Sequence, residues 1–589
     1  MKRKIMWLGL SLLLVASMLV ASVLASCKNT STSTNVTTTT SQTSANTPQN
    51  GGTLNVLTQW GNIDPPGFDA DLAPSVWETT AWDGPFLDWL MVGDIEKYGA
   101  RGNNEFKFQT AQYVPQQYLT GGVAESWALT TSPDTITFNI RHGIMWAGNT
   151  TLGMAPRGLT ADDVVYSLKR GFAAPVVAGT YTFVDDVVAK DQYTVVIDCN
   201  TFNANWAYFI GYGYMVGMIT CPESGNATIG GGSNDWKNQV SDGPFIITDY
   251  TSGASCTYTK NPNYWGRTTI NGTSYKLPFI QTLIYPIIPD EAASIAALRT
   301  AKLDWWPYTP NTYAASLTQT SPKLVQVPIP AGNVLVMNVN RLNNQYLKNL
   351  AVRQALETAT DFQTILNLEY PGGTLLSYPV APGDPSYTAL ADLPTSTKSQ
   401  FTYNPTLAKQ MLSDAGYPNG FSVTLNTLST DATEADVAQL LVSQWAKVGI
   451  TLTINPTTQA ALEADRMSIG YDLLFHVYNV NNPITSLDNM YQGGQNTSCT
   501  YLASEPYTAE YKAIIADTDL TKLAADEKQL AQGCLADAGL IPFANPVLLN
   551  AYWPWMKNYY GETDAGYDNL SAELSRMWID QNMKTTMGY

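Results

Sequence analysis

The sequence predicts a mixed α/β fold, because strand patterns and helix patterns alternate along the chain. Residues 135–140 alternate polar and apolar side chains, which is typical of a half-buried strand. Residues 160–168 begin with a threonine and an acidic first turn and continue with apolar side chains at helical spacing. Residues 350–366 and 436–448 are predicted as amphipathic helices, and the second runs into a strand at 450–454. No repeat of about 20–50 residues occurs, so we expect an α/β architecture with insertions.

The N-terminal residues predict an export signal. Three cations at positions 2–4 precede an almost wholly apolar run at 5–24, as in a secretory signal peptide. As a membrane span this run is of borderline length, since a span needs about 20 residues. The residues LASC at 24–27 resemble the lipobox of bacterial lipoproteins, which implies cleavage before Cys27 and acylation of that cysteine. An uncleaved signal anchor is the alternative, and both interpretations place the body outside the cytoplasmic membrane.

Residues 28–50 are predicted to form a tether. They are rich in threonine, serine and asparagine and contain almost nothing that a core would bury. Such a segment cannot offset the entropy of ordering, so we expect it to be disordered. Two acyl chains on Cys27 would anchor the protein stably, at about 0.8 kcal/mol per buried CH₂. The body would then move over the membrane surface while staying attached.

The composition argues against a nucleic-acid partner. The net charge is −17 and only 14% of the residues are charged, whereas a typical domain has about 25%. Binding of nucleic acid requires basic patches, which this balance does not provide. A hydrophobic content of 44% suffices for large cores, and the length beyond the tether suits two or three domains.

The cysteines beyond Cys27 do not indicate a metal site. Disulfides persist outside the cytoplasm, but an odd number leaves at least one cysteine free or paired between chains, and the sequence cannot name the bridges. No pair has CxxC spacing, so we predict no metal and no cofactor. These cysteines are Cys199, Cys221, Cys256, Cys499 and Cys534.

Catalytic motifs are missing from the sequence. The chain has two histidines, His142 and His476, and no HExxH, GxSxG or phosphate-binding loop. A pair of carboxylates for glycoside hydrolysis would leave no signature in sequence spacing. We therefore predict a protein that is not an enzyme, with a surface hydrolase and an envelope-structural or sensory lipoprotein as alternatives from other classes.

Several short sequences follow one another along nearly the whole mature chain. They are GGTLNV at 51–56, VAESW at 123–127, ITFNIRHGIMW at 136–146, LTADDV at 159–164, DGPF at 242–245, KNPNYWG at 260–266, VRQAL at 352–356, ATD at 359–361 and AGYPNG at 415–420. In this order they resemble the family 5 extracellular solute-binding proteins of ABC importers, the oligopeptide- and dipeptide-binding type. Each match is weak alone, and their collinearity makes the resemblance specific.

The resemblance implies an α/β, two-lobed periplasmic-binding-protein-like fold with hinge strands and an inserted subdomain in the first lobe. Hinge crossings are expected near 325–340 and 540–545, and the lobes would close around a solute. The implied partners are the solute, an ABC permease with its ATPase subunits, and the membrane through the Cys27 lipid, for a protein that is itself monomeric. The expected boundaries are a signal peptide at 1–26, a tether at 27–50, lobe I at 51–95, 236–315 and 541–589, the inserted subdomain at 96–235 and lobe II at 316–540.

The expected ligand is an oligopeptide or a peptide-like molecule. In peptide-binding relatives, an aspartate in a Trp-x-x-Asp sequence before a proline holds the α-ammonium group, and here His476 and Asn479 stand in the tryptophan and aspartate positions. An amide cannot neutralise a desolvated ammonium, so binding of peptides with a free N-terminus is in doubt. Asp472 or Asp488 are alternatives if the loop aligns differently.

An aromatic-rich and amide-rich cleft would also suit an oligosaccharide, which is the leading alternative ligand. Nickel is not expected in a chain with two histidines, and haem stays open. Tryptophans 305 and 306 are further cleft candidates, and core packing is the alternative role of every tryptophan considered. The candidate ligand contacts are Trp60, Trp82, Trp146, Asn338, Asn340, His476, Tyr478 and Asn479.

One ion pair is also considered within the predicted helix at 350–366. Arg353 and Asp361 lie in this stretch, although their eight-residue separation fits two helical turns only loosely.

Overall fold

The computed structural model describes residues 47–72, 76–109, 112–175, 177, 179–213, 216–480, 482–490, 501–502 and 504–589. The predicted signal peptide, Cys27, most of the predicted tether and Cys499 lie outside the described residues. Among the described helices, none has the length and apolar character needed to cross a membrane.

Lobe I is built on two sheets. Its four-stranded sheet has a parallel first pair and antiparallel neighbours thereafter, in the order Thr53–Asn55, Thr282–Pro286, Ser255–Lys260 and Phe245–Thr251. Its antiparallel three-stranded sheet has the order Trp305–Pro310, Val547–Tyr552 and Val325–Pro330. Two helices lie between these strands in the chain, Glu291–Arg299 and Ala314–Thr320.

A second four-stranded antiparallel sheet forms the inserted subdomain. Its order is Ala124–Thr131, Asp134–Ile140, Thr194–Cys199 and Val184–Asp191. The second of these strands confirms the strand predicted at 135–140. The helix predicted at 160–168 is Ala161–Phe172, and the carboxylate of Asp163 accepts a hydrogen bond from the Thr160 backbone N–H at 2.9 Å. This contact satisfies a backbone donor at the helix start, where the helix itself offers no acceptor.

Lobe II contains one five-stranded mixed sheet, in the order Thr451–Thr457, Ser422–Leu428, Leu473–Asn479, Asn333–Val339 and Leu540–Pro542. The predicted helix and strand at 436–454 are confirmed as the helix Ala432–Ala446 and the first strand of this order. Further helices of the lobe are Pro405–Asp414, Gln459–Ser468, Pro506–Ala516 and Leu523–Asp537.

The continuous helix predicted at 350–366 is wrong, because the structure has two helices, Leu350–Thr358 and Phe362–Glu369. Asp361 caps the second helix by accepting from the Thr364 N–H at 3.0 Å. The hydroxyl of Thr360 accepts from the Trp445 indole at 3.0 Å. A capping side chain and a tertiary contact therefore end the first helix within an unbroken amphipathic pattern.

The two faces of the lobe II sheet bury different cores. On the strand Asn333–Val339, Val334 and Val336 pack into the core shared with lobe I, while Leu335 and Met337 pack into a core confined to lobe II. This alternation is the period of two of a strand buried on both faces. The lobe I side of the sheet is therefore the side on which a cleft can form.

The chain crosses between the lobes twice. Val325–Pro330 belongs to the lobe I sheet and the next strand, Asn333–Val339, belongs to the lobe II sheet. On the return, Leu540–Pro542 in lobe II is followed by Val547–Tyr552 in lobe I. The first crossing lies inside the hinge segment predicted at 325–340, and the second overlaps that predicted at 540–545. The predicted boundaries assign Val325–Pro330 to lobe II, whereas this strand pairs within lobe I; the boundaries themselves remain a prediction.

Shorter elements complete the described chain. Further α-helices are Val76–Asp83, Pro222–Gly225, Thr395–Gln400, Pro483–Asp488, Ser571–Arg576 and Gln581–Thr586. Other helical turns are Gln116–Tyr118, Ala207–Tyr212, Gly232–Asn234, Trp236–Asn238, Asn311–Tyr313 and Leu390–Asp392. Further strands are Met91–Gly93, Leu119–Gly121, Met145–Trp146, Arg157–Gly158, Arg267–Ile270, Thr273–Lys276, Thr374–Leu375, Ala544–Asn545, Met556–Lys557 and Trp578–Ile579.

The four described cysteines form no disulfide. Cys221, Cys256 and Cys534 are buried and Cys199 is partly buried, each as a free thiol. Burial raises the pKa of Cys256 and of Cys534 to about 12, so these thiols stay protonated at neutral pH.

Candidate functional site

The two lobes meet along a cleft that direct hydrogen bonds span. The Asn479 side chain of lobe II donates to the Gln112 side chain on the lobe I side. The Asn482 amide donates to the Asn205 side chain at 2.9 Å, and the Ala204 N–H donates to the Ile515 carbonyl at 2.7 Å. These contacts hold the cleft in a closed arrangement.

One cavity of about 500 Å³ lies beside the two hinge crossings. Its walls include Pro328–Pro330 at the first crossing and Asn545–Val547 at the second. Residues 105–109 and, from lobe II, Thr374 and Gly383 also line it. The cavity therefore adjoins the segments that must move if the lobes open.

A second cavity of about 510 Å³ lies between the inserted subdomain and lobe II. Its volume is within the range typical of small-molecule sites. The subdomain contributes an aromatic wall of Tyr113, Trp127, Tyr208 and Tyr212. Ring centroids are 6.1 Å apart between Tyr113 and Tyr208 and 5.6 Å apart between Tyr208 and Tyr212, in edge-to-face arrangements.

Lobe II contributes three acids to this second cavity, Asp384, Asp519 and Glu527, of which Asp519 is paired with Lys522. The Ser386 backbone N–H and hydroxyl both donate to Asp384, at 2.7 and 2.5 Å. Burial raises the pKa of Asp384. Burial, and then the neighbouring charge of Asp384, raise the pKa of Glu527 well above its ordinary value. Because these two acids lie close together in a poorly hydrated cavity, each favours its protonated form or a form that is bound to a cation.

Two of the predicted contact residues are core tryptophans. Trp82 is fully buried, and its ring lies 5.9 Å from that of Tyr285. Trp146 is fully buried, and its indole donates to Asp163 at 3.2 Å. Neither lines the two cavities described above. Their positions match the alternative role given for these tryptophans, which is core packing.

The remaining tryptophan candidates also lie away from these cavities. Trp305 is fully buried and donates to the Asn550 side chain at 2.8 Å. Trp306 is buried in the same strand. Trp60 is partly buried in the segment that follows the first strand of lobe I, and it lines neither cavity.

The candidate residues in the lobe II sheet contact one another. The Tyr478 hydroxyl donates to the Asn338 side chain at 3.0 Å, and the Asn340 amide donates to the Tyr471 carbonyl at 2.5 Å. His476 lies across from Val336 in the register and its Nδ1 is 3.4 Å from a Glu463 carboxylate oxygen. These side chains therefore form part of the sheet's own polar packing.

His476 is neutral at physiological pH. Burial, and to a smaller extent the charge of Arg466, lower the pKa of His476 to about 4. The charge of Glu463 acts in the opposite direction. The second histidine, His142, stacks on Tyr193 with ring centroids 3.9 Å apart. Neither histidine lines the two cavities, and the described residues contain no group of three or more His, Cys, Asp or Glu that could hold a metal ion.

Asn479 is the predicted contact that faces across the cleft. Its partner Gln112 donates in turn to Asp568 of lobe I at 3.0 Å. Burial raises the pKa of Asp568 to about 7. Of the two alternative acids, Asp472 accepts from Asn344 at 2.7 Å and from the Thr424 N–H at 3.0 Å within lobe II. Asp488 lines a third cavity of about 290 Å³.

Sequence reasoning missed Asp384, Glu527, Tyr113 and Asn205, which line the second cavity. The only local signal is the run PGDPS at 382–386, whose proline and glycine residues indicate a turn that presents an aspartate. Nothing in the sequence connects that turn with the helix residue Glu527, because the two are brought together only by tertiary packing.

Comparisons with known proteins agree with this architecture. A family model described as bacterial extracellular solute-binding proteins, family 5 Middle, matches residues 119–498, more than half of the chain. Heme-binding protein A of Haemophilus influenzae is 26% identical over 476 residues, covering 76% of this chain and 82% of that protein. Dipeptide-binding protein of Escherichia coli is 26% identical over 368 residues, covering 59% of this chain and 64% of that protein.

A solved structure gives the same fold. The structure of HbpA2 from Haemophilus parasuis superposes with a TM-score of 0.72 at 21% identity, covering 90% of this chain and all of that one. The two-lobed α/β fold predicted from the sequence is therefore confirmed.

Proposed function

The chain belongs to the bacterial extracellular solute-binding proteins of family 5, and we propose that it captures a peptide-like solute between its lobes for an ABC importer. The observation that carries this proposal is the double crossing of the chain, at 331–332 and at 543–546, between a sheet of lobe I and the sheet of lobe II, with one cavity beside the crossings and a second between the subdomain and lobe II. Two short crossings permit a hinge motion, and closure around a ligand gives a permease a distinct conformation to recognise.

The proposed solute class rests on two kinds of support. One similar protein is named for binding dipeptides and another for binding haem. The second cavity combines aromatic rings, amide groups and carboxylates, which suit the mixed apolar and polar surface of a peptide. An oligosaccharide remains the alternative, but its support is weaker because Trp82, Trp146 and Trp305 are fully buried core residues.

Asn479 is the predicted contact that we retain for the ligand. It is exposed in the cleft and reaches the opposite lobe through Gln112. We assign Asn338, Asn340, His476 and Tyr478 to the polar packing of the lobe II sheet, and Trp60, Trp82 and Trp146 to lobe I and subdomain packing.

We further propose that the protein works outside the cytoplasmic membrane on a lipid anchor at Cys27. The permease and its ATPase would be the protein partners of a monomer that performs no chemistry on the solute. Within this proposal the lobe boundary lies at 331–332, between the strands Val325–Pro330 and Asn333–Val339.

The test is native mass spectrometry of the protein purified from its own host, followed by unfolding and refolding to remove any retained solute. We expect a retained mass that is released by unfolding and that restores the original melting temperature when added back. Conversion of the added compound into products would instead identify an enzyme. Absence of a retained mass, together with no stabilisation by the host's peptide extract, would contradict the proposed function.

A further inference from the structure

The cavity between the inserted subdomain and lobe II has an uneven distribution of charge. Two carboxylates, Asp384 and Glu527, lie on the lobe II wall, and no lysine, arginine or histidine among the described residues lines the cavity. A third acid, Asp519, lies 3.6 Å from the ammonium group of Lys522 and is paired with it. Within the described part of the chain, neither Asp384 nor Glu527 has an ion-pair partner.

We propose that this cavity binds a cationic group of the solute, an ammonium or guanidinium, between the carboxylates of Asp384 and Glu527 and the aromatic wall of the subdomain. This inference rests on the proposed function and names the class of solute. A basic side chain of a peptide is the occupant that fits both walls.

The burial of Glu527 supports the need for a cation. This residue lies in the helix Leu523–Asp537, is 4% exposed, and is near Asp384, which accepts hydrogen bonds from the backbone N–H and the hydroxyl of Ser386. A carboxylate removed from water without a counter-ion is costly, and a second carboxylate nearby raises that cost. A bound cation would remove both penalties at once.

The cavity wall that the subdomain contributes is aromatic. The rings of Tyr113, Tyr208 and Trp127 line the cavity. Aromatic faces attract ammonium and guanidinium groups when the site is shielded from water. An anionic solute group would meet two carboxylates here, and a purely apolar group would leave them without compensation.

Asn205 provides an independent observation, a buried polar group without a partner at this cavity. Its side-chain oxygen accepts from Asn482 at 2.9 Å. Its amide nitrogen has no hydrogen-bond partner in the described structure, although the residue lines the cavity and is only 5% exposed. A buried amide N–H group without a partner is unusual and fits a ligand carbonyl oxygen. A peptide supplies a cation and carbonyl groups together.

The two walls belong to different bodies. Asp384 and Glu527 move with lobe II, whereas Tyr113, Tyr208 and Asn205 move with the subdomain of lobe I. The complete site exists only when the lobes are closed, so a cationic group that binds both walls favours the closed state.

The experiment is isothermal titration of N-acetylated and C-amidated pentapeptides Ala-Ala-X-Ala-Ala, where X is lysine, its uncharged analogue norleucine, or glutamate. Blocked termini leave X as the only charge. The natural protein should bind the lysine peptide at least tenfold more tightly than the norleucine peptide, and the glutamate peptide most weakly. The variants Glu527→Gln and Asp384→Asn should each reduce this preference, and the double variant should bring it within about twofold of unity.

The control variant is Asp414→Asn, at an exposed lobe II carboxylate that accepts from Gln410 at 2.7 Å and does not line the cavity. It should leave the preference unchanged. Equal binding of the lysine and norleucine peptides to the natural protein would overturn this inference while leaving the proposed function standing. Binding of none of the three peptides would overturn the proposed peptide function and the inference with it.

Discussion

The helix Leu523–Asp537 carries a buried acid, Glu527, toward its N-terminal end and a partly buried one, Asp537, at its C-terminal end, and the two differ in how their charge is compensated. At its C-terminal end, Asp537 lies 2.7 Å from the guanidinium of Arg353 and 3.2 Å from that of Arg341, and none of the three lines the cavity. Toward its N-terminal end, Glu527 lines the cavity near Asp384 and faces aromatic rings instead of a cation.

This difference separates acids that stabilise the fold through ion pairs from acids that we propose bind a cationic group of the ligand. Arg353 is almost completely buried and also donates to the Leu347 carbonyl at 2.9 Å, so its charge is fully compensated within lobe II. Removal of one member of such a pair leaves a buried charge without compensation. Asp384 and Glu527 at the cavity have no ion-pair partner in the described structure, so their substitution should affect ligand binding more than stability.

The largest expected effect is at the paired end of the helix. The change Asp537→Ala leaves Arg353 buried without a carboxylate, so we expect a loss of about 3–5 kcal/mol in the free energy of unfolding. Urea unfolding followed by circular dichroism measures it. The control Asp414→Asn should change stability by less than about 0.5 kcal/mol. A similarly small change for Asp537→Ala would show that the ion pair between Asp537 and Arg353 does not stabilise lobe II.

A second set of uncompensated acids, in lobe I, should make stability depend on pH. Burial raises the pKa of Asp568 to about 7 and that of Glu573 to about 8, from ordinary values of 3.8 and 4.5. The folded state therefore binds these protons more tightly than the unfolded state. Their contribution is fully present below the unfolded pKa values and is lost as pH rises through about 7 and 8.

The change Glu573→Gln should consequently flatten the fall in stability between about pH 5 and pH 9, by roughly 4 kcal/mol over the range. Chemical unfolding at several pH values measures the slope. An unchanged slope in this variant would assign the pH dependence to other groups and would remove Glu573 from the uncompensated set.

The change Asn479→Asp tests whether a carboxylate without an ion-pair partner, added in the cleft, binds the ammonium group of a peptide N-terminus. A charge-assisted hydrogen bond is worth about 1.5–3 kcal/mol, so peptides with a free N-terminus should bind roughly tenfold or more tightly to this variant. Acetylated peptides of the same sequence should gain nothing, since they lack the ammonium group. Isothermal titration of both peptides compares them. Equal gains for both would contradict a role of residue 479 in recognising an N-terminal charge.

The smallest expected effect is on stability at the cavity end of the helix. The change Glu527→Gln replaces a buried acid that has no ion-pair partner in the described structure with a neutral amide, so the free energy of unfolding should stay the same or rise by about 1 kcal/mol at neutral pH. Thermal unfolding without ligand measures this change. A loss of several kcal/mol would place Glu527 with Asp537 among the acids that hold the fold.

The sequence predicted those features that depend on local patterns or on order along the chain. The strand at 135–140 and the helix Ala432–Ala446 follow from periodicity, and the hinge crossings follow from collinear resemblance. The expected pair of Arg353 with Asp361 is wrong, because Arg353 contacts Asp537, which lies far along the chain, while Asp361 caps a helix.

The binding surface was not predictable in the same way. A fully buried tryptophan such as Trp82 and a tryptophan in a cleft have the same appearance in a sequence. The cavity between Tyr113, Asn205, Asp384 and Glu527 joins four distant segments, so it exists only after the lobes and the subdomain have packed. Local propensity and residue spacing carry no information about contacts between segments so far apart in the sequence.

The central claim is that a solute closes two lobes around itself, and small-angle X-ray scattering during titration tests it most directly. Protein refolded without ligand would be titrated with the blocked lysine pentapeptide to saturation, with the norleucine peptide as the comparison. We expect the radius of gyration to fall and to level off at one peptide per protein, with a melting temperature that rises by mass action. Saturated binding at one peptide per protein with an unchanged radius of gyration would contradict the claim.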